Sequence, residues 1–427
     1  MRQPRVVLAS GYEGGFQPIS LGTAASWLSR SGITPVCVDT FVDGIDEAAF
    51  ANADLVAVSV QMFQSIAPAI EIAETARRVN PSARIVMFGA HANIHAERLL
   101  GAHCTEIVRG DWEPALVAAA RQSAGEDVAL PPELSSAINA GQPITVNIQR
   151  SGHMAPSRAI LPGLQKYTYA EFGKFLDGGK QPVVGNIETA RGCHHSCSYC
   201  SVFAATGTKV NFIPIDIVMQ DIRQVVEMGA THICFIDAEF INSKRHGIEV
   251  VRRMKAEFPS LTFDITTRAD HILESKNTIV ELNDLGCRFI TTAMEFPTQR
   301  VLDAVNKDLT LDHIEGAIAY CSEIGAKLNA TFILFNPWVS LEDLLGFDQW
   351  LDKTGLGETI DPVQFTTRLY LYKGSHLLSN PEVRKLQLVE HDFHYEWKHS
   401  DPRVDELFAE MTRSDDPAEF KRCCIKC

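Results

Sequence analysis

The chain lacks the features that would place it in a membrane or on a polyanion. No stretch of its 427 residues approaches the roughly 18 consecutive apolar positions of a membrane-spanning helix. The N-terminus, "MRQPRVVLASGYEGG", has only a brief apolar run and no cleavage-like signal, which predicts a cytoplasmic protein. Positive charge is scarce: 39 Lys and Arg stand against 53 Asp and Glu, a net charge of −14 with no basic cluster. Phosphate neutralisation needs grouped cations, so neither nucleic acid nor a membrane is expected as a partner. A disulfide framework is also unexpected, because the eleven cysteines are an odd number in a large chain without an export signal. Such cysteines point instead to metal or redox chemistry.

What is present is an ordinary globular composition, 45% hydrophobic and 22% charged, with room for two or three domains. Apolar strand-like runs alternate with amphipathic helical stretches through residues 1–122. "PRVVLA" precedes "SLGTAASWLSRSG", "ADLVAVSV" precedes "SIAPAIEIAETARRVN", "ARIVMFGA" precedes "HAERLLGA", and "TEIVRG" precedes a helix from Glu113. This βα rhythm predicts an open, Rossmann-like parallel sheet whose carboxyl-end loops, "SGYEGG" and "FGAHAN" among them, form a crevice. Residues 123–181 lose the rhythm and gather Pro and Gly, as a linker does. Six more strand candidates follow at roughly thirty-residue spacing: "VVGNIETA", "THICFIDA", "LTFDITTR", "RFITTAME", "KLNATFILF" and "VQFTTRLYLY". Residues 182–373 therefore read as a partial (βα)6 barrel with its ligands at the strand carboxyl ends. Residues 374–427 read as a C-terminal extension.

The strongest chemical signal is "RGCHHSCSYCS". It spaces Cys193, Cys197 and Cys200 by three and then two residues directly after the first barrel strand. Three thiolates on one loop suit three irons of a four-iron, four-sulfur cluster and leave the fourth iron open. Zinc is the competing metal and would need His194 or His195 as a fourth ligand from the same loop. Cys37, Cys104, Cys234, Cys287 and Cys321 are isolated among apolar or helical residues and read as buried small hydrophobes.

The cysteine loop, with aromatic Tyr199 before its third cysteine, resembles that of the radical S-adenosylmethionine (SAM) superfamily. In that family the amino and carboxylate groups of SAM chelate the open iron, and one electron splits the sulfonium. The resemblance implies roles for other strand-end residues. Glu239, in "FIDAEF", is implied as a partner of the SAM amino group, and Arg268, in "TTRAD", as a partner of its carboxylate. Glu295 takes the acidic position of "TAMEFPTQRVLDAVNK". Asn336 stands where relatives carry a glycine before the proline, so adenine contacts do not carry over there. An external electron donor such as flavodoxin or ferredoxin is also implied.

The first 122 residues are similar to the cobalamin-binding domain of one radical SAM subfamily, with "VRGDWEPAL" near its closing "vvrGEgE" segment. That subfamily includes methyltransferases. The Asp-x-His-x2-Gly motif that supplies a lower cobalt ligand in many cobalamin proteins is absent, and the nearest stretch, "DTFVDG", has no histidine. Both readings stay open here, a cobalamin site without that ligand and a sheet that holds no cofactor.

The chain ends on "KRCCIKC", which sets Cys423, Cys424 and Cys427 within five residues. Incidental thiols, a second cluster, a Cys424-x2-Cys427 redox couple and a trap for a soft ion all fit the spacing. The ending resembles that of a radical SAM group defined by an RCCLKC tail, to which arsinothricin-forming enzymes belong, with Ile425 in place of Leu. The resemblance implies that the tail thiolates hold arsenite and that SAM gives up its 3-amino-3-carboxypropyl group to arsenic. A cobalamin-dependent radical methyltransferase and a non-enzymatic thiol metal-binding protein are the alternatives.

Overall fold

The structure, a computed structural model, describes residues 2–129, 134–136, 152–167, 175, 181–357 and 359–413. Its contacts divide it into two compact units. The first holds Met1–Tyr169, Gln181–Glu188 and Asn211–His232, and the second holds Ala170–Lys180, Thr189–Val210 and Ile233–Cys427.

The first unit is built on a sheet of six strands: β1 (Val6–Ser10), β2 (Val36–Asp39), β3 (Leu55–Ser59), β4 (Arg84–Phe88), β5 (Glu106–Val108) and β6 (Leu134–Ser136). The order is β2-β1-β3-β4-β5-β6, parallel except for the antiparallel edge strand β6. β1 and β3, "VVLAS" and "LVAVS", are buried at every position, as central strands covered on both faces must be. The helix Ile19–Arg30 buries Leu21, Ala24, Ala25 and Leu28, and Ile66–Val79 buries Ile66, Ala69, Ile72, Ala73 and Ala76. Three- and four-residue spacing puts each set on one apolar face turned to the sheet. Strand order reverses between β1 and β3, so their carboxyl ends open a crevice, with Ser10 and Ser59 as register partners at its floor.

β7 (Val184–Ile187) leads into the cysteine loop. β8 (Ala190–Gly192) and β9 (Val210–Phe212) form a two-stranded ribbon around that loop. β10 (His232–Phe235), β11 (Thr262–Thr266), β12 (Cys287–Glu295) and β13 (Leu328–Phe332) alternate with helices. The sheet order is β13-β12-β11-β10-β7, and β11, β12 and β13 pair in parallel. The sixth strand expected in "VQFTTRLYLY" contributes a single parallel bridge, Phe335 to Arg368. Asp361 caps a 3-10 turn at Pro362–Thr366 with proline in its first positions, which bends the chain before a strand can extend. The remainder, β14 (Leu371–Tyr372), joins β15 (Leu388–Glu390) and β16 (His394–Trp397) in an antiparallel sheet, and the helix Pro402–Met411 follows. Of the isolated cysteines, Cys104, Cys234, Cys287 and Cys321 are buried and Cys37 is half-buried. No helix among the described residues is long and apolar enough to cross a membrane.

Within the first unit, Arg158 is fully buried with its donors engaged. Nε and Nη2 hold Asp221 at 2.7 and 2.9 Å, Nη1 reaches Gln17 Oε1 at 2.9 Å and Asn186 Oδ1 at 3.2 Å, and Nη2 also reaches the Asn186 carbonyl at 2.6 Å. The hub ties the loop after β1 to β7 and to the helix Ile215–Glu227. Breaking a buried pair strands its other charge, so Asp221→Ala lowers stability in urea unfolding by about 3–5 kcal/mol. Replacing both partners with apolar residues, Arg158→Met with Asp221→Leu, restores most of that loss.

Candidate active site

The cysteine loop is held at its start by Asp237. This buried carboxylate accepts from Thr189 N at 3.1 Å, Thr189 Oγ1 at 2.8 Å and Ala190 N at 2.6 Å. Gly192 has φ +96°, and a Cβ there would lie 2.0 Å from the Lys209 carbonyl oxygen, so glycine alone lets the chain turn into Cys193. Asn242 then accepts from His194 N at 3.3 Å and donates to the Gly192 carbonyl at 3.2 Å. Cys193 and Cys200 are half-buried and Cys197 is buried. Burial pushes the Cys193 thiol up to about 11 and raises Cys197 as well, so metal uptake here is coupled to proton loss. Among the described residues no three Cys, His, Asp or Glu side chains gather as a site for a metal ion. Thiolates that each bind a different iron of one cluster need no common point, and three of them on one loop are the donor set that a four-iron cluster takes.

Tyr199 and Glu295 meet. Tyr199 Oη donates to Glu295 Oε1 at 2.5 Å, and Lys307 Nζ donates to the same oxygen at 2.7 Å and to Tyr199 Oη at 3.0 Å. Burial acts to lower the pKa of the Lys307 ammonium, but the Glu295 carboxylate outweighs it and the net direction is up, so the lysine is charged. Burial first, and the Glu295 charge second, raise the Tyr199 phenol well above its ordinary value, which keeps it a donor.

Glu239 and Arg268 meet through the backbone. The Glu239 carboxylate accepts from Ile241 N at 2.9 Å, Thr267 Oγ1 at 2.5 Å and Arg268 N at 2.9 Å, and lies 3.2 Å from His271 Nδ1. The Arg268 guanidinium donates to Asp270 at 2.9 Å, to the Lys307 carbonyl at 2.8 Å and, through Nη1, to Cys197 Sγ at 3.7 Å. It is aimed at the cysteine loop. His271 Nε2 lies 3.3 Å from His195 Nε2. Burial, aided by the Arg268 charge, pushes His195 down to about 4, whereas the Glu239 contact overrides burial and raises His271. Asn336 makes a local turn, donating to the Ile333 carbonyl and accepting from Trp338 N. Sequence reasoning passed over Lys307 and Asp237, although both lie in stretches it singled out; their burial is a property of the fold. Cys423, Cys424 and Cys427 lie outside the described residues.

The crevice of the first unit has its own polar set. Glu13, in the loop after β1, accepts from Ser59 Oγ at 2.9 Å and from the Ser20 hydroxyl, and Ser20 N lies 3.3 Å from its second oxygen. At the same sheet edge the buried atoms Ser10 Oγ, Gln61 Nε2 and Arg109 Nε have no hydrogen-bond partner among the described residues. Gly89 has φ +109°, and a Cβ there would meet the Val60 carbonyl oxygen at 2.8 Å and Gln61 Cδ at 2.9 Å. Unsatisfied polar atoms around a close backbone approach suit a large ligand with amide groups such as cobalamin. In "DTFVDG", Phe41 occupies the place a histidine would take. It is 49% exposed and packs edge-on against Tyr12, with ring centroids 5.3 Å apart. Asp39 caps the turn through Phe41 N and accepts from Tyr167 Oη at 2.5 Å. The buried histidines at this edge, His91 and His95, stack on each other at 5.5 Å.

Burial raises the Glu13 carboxyl from 4.5 to about 7 against the opposing hydroxyl contacts. Between those two values the folded state holds the extra proton, so stability falls as pH rises from 4.5 to about 7 and the deficit is complete above it. Glu13→Gln should therefore gain about 1–3 kcal/mol over the native chain in urea unfolding at pH 8, and that gain should vanish below pH 4.5. An equal effect of the substitution at both pH values contradicts the assignment.

Residues 187–351 match the model of the Radical SAM superfamily, and residues 5–120 match that of the B12 binding domain. Hopanoid C-3 methylase of Methylococcus capsulatus is 24% identical over 333 residues, covering 75% of this chain and 62% of that protein. An uncharacterized methyltransferase of Pyrococcus horikoshii is 22% identical over 342 residues, with 75% and 70% covered. Among solved structures, the cobalamin-dependent SAM radical enzyme OxsB, with aqua-cobalamin and SAM bound, superposes with a TM-score of 0.73 at 16% identity, covering 96% of this chain and 66% of that one. The radical SAM methyltransferase TsrM of Kitasatospora setae gives 0.70 at 18% identity, with 91% and 79% covered. The chain thus joins a B12-binding domain to a radical SAM domain, and its cofactors are a four-iron, four-sulfur cluster, SAM and cobalamin.

Proposed function

We propose that the protein is a cobalamin-dependent radical SAM methyltransferase acting on a small molecule. The observation that carries this reading is the union, in one chain, of a three-cysteine loop after a barrel strand with a crevice whose buried polar atoms await a ligand. The relatives named as a methylase and as a methyltransferase support the reaction class. When bound, the cluster supplies one electron to the SAM sulfonium and cobalamin supplies a methyl carrier. Cys193, Cys197 and Cys200 hold the cluster. Glu239, Arg268 and Glu295 orient SAM through its polar groups, and Tyr199, fixed by Glu295 and Lys307, shapes the wall beside it. Electrons come from a small donor protein of the flavodoxin or ferredoxin kind.

The "RCCIKC" ending favours a second reading. Three soft thiolates in five residues suit arsenite, and the fragment transferred is then the 3-amino-3-carboxypropyl group, giving a hydroxyarsinothricin-type carbon–arsenic product.

One experiment separates the two. The reduced holoprotein is incubated anaerobically with SAM, with and without arsenite, and the products of SAM are identified. Methyl transfer yields S-adenosylhomocysteine, whereas aminocarboxypropyl transfer yields 5′-methylthioadenosine in an arsenite-dependent manner. If the second reading holds, changing Cys423, Cys424 and Cys427 to Ser lowers the arsenic product by roughly tenfold or more, since hard oxygen replaces soft sulfur. SAM left intact under every condition overturns both.

A further inference from the structure

Three non-glycine residues among those described have left-handed backbone angles, and all three surround the cysteine loop. They are Glu295 (φ 57°), Asn306 (φ 52°) and Asp308 (φ 54°). Asn and Asp tolerate this conformation, whereas a glutamate is strained in it and must be held there by its surroundings. The two flanking left-handed residues set the course of the segment 305–308 past the loop. Val305 O accepts from Ser198 N at 2.9 Å. Asn306 Nδ2 donates to Ser196 O at 3.0 Å and to Ser196 Oγ at 3.1 Å. Lys307 Nζ donates to Tyr199 Oη at 3.0 Å. The carbonyls of Lys307 and Asp308 accept from Arg268 Nη2 at 2.8 and 3.2 Å, and Arg268 Nη1 faces Cys197 Sγ at 3.7 Å. The four consecutive loop residues Ser196 to Tyr199 are therefore each held from this segment, Cys197 by way of Arg268.

We propose that Val305–Asp308 is a clamp that presets the cysteine loop in its cluster-bearing shape and retains the cluster there, with Asn306 and Lys307 as its positioning residues. A loop closed by its own hydrogen bonds alone would relax when iron leaves. One held from outside keeps its thiols in place, so iron re-enters a formed site. The inference rests on the cluster reading given above and adds a determinant of cluster retention that lies about a hundred residues from the cysteines in sequence.

The test is the rate at which reconstituted holoprotein loses iron to an excess of a ferrous chelator under anaerobic conditions, followed by absorbance. Asn306→Gly keeps the left-handed backbone accessible and removes both donors to Ser196. Asn306→Asp keeps side-chain size and backbone preference but replaces the donor with an acceptor. Asp308→Gly makes the same backbone change as the first variant at a residue whose side chain makes no hydrogen bond to the loop among the described residues. Asn306→Gly should lose iron about tenfold faster than the native protein, the effect of two hydrogen bonds, and Asn306→Asp about three- to tenfold faster, because the Ser196 carbonyl loses its donor while the Ser196 hydroxyl can turn to donate to the carboxylate. Asp308→Gly should stay within about twofold, and the thermal midpoints of the apoproteins should coincide, which separates positioning from general stability. Native iron-loss rates in Asn306→Gly and Asn306→Asp, or equal acceleration in Asp308→Gly, overturn the proposal. If Asn306→Gly does not fold, Asn306→Asp decides alone. A native protein that takes up no iron overturns the cluster reading itself, a different result from any of these.

Discussion

A lysine and a glutamate 2.7 Å apart and almost wholly out of water set the geometry of the radical SAM domain. Such a pair adds little net stability, because desolvating both charges offsets their attraction, but breaking it is heavily penalised. Its value is in fixing position. Lys307 comes inward because the residues on either side of it are left-handed, and Glu295 meets it because β12 slips register against β13 between Ala293 and Glu295. With the pair made, Tyr199 has one orientation and the cysteine loop one outer wall. Asp237 and Asn242 anchor the start of the same loop. The three cysteines are thus supported from elements on both sides, as the ligands of a metal site need to be.

The B12-binding domain follows a different logic, in which the interior is closed and the edge left open. Arg158 satisfies its donors against Asp221, Asn186 and Gln17 and so fixes the loop after β1 from beneath. At the carboxyl edge, Ser10, Gln61 and Arg109 keep buried polar atoms without partners among the described residues, and burial raises the Glu13 carboxyl to about 7. Buried polar atoms of this kind call for a partner, and a ligand or water that enters the crevice supplies it. The exposed Phe41 in place of a histidine leaves no imidazole at that position of the edge.

Much of this was legible in the sequence wherever the pattern was local. The buried strands β1, β3 and β4, the helices that follow β1 and β3, the five strands of the second sheet and the cysteine loop all announce themselves by apolar runs or by spacing. β2 does not, because "VCVD" is a short edge strand whose first residue is exposed and whose second is half-buried. The sixth strand misled because "VQFTTRLYLY" has strand composition, yet the capped proline turn before it redirects the chain. Lys307 closes a stretch that the sequence singled out, but its burial could not be read there: a lysine after a helix reads as solvated, and only Glu295 and Tyr199 bring it indoors. Cys37 keeps one side open because it too sits on that edge strand.

The most direct test of the account is the electron paramagnetic resonance spectrum of the dithionite-reduced, anaerobically reconstituted protein before and after addition of SAM. The account predicts a reduced-cluster signal whose g values shift when SAM binds the open iron, at about four irons per chain, and no such signal when Cys193, Cys197 and Cys200 are all changed to Ala. A cluster signal indifferent to SAM, or one that survives in the triple variant, contradicts it.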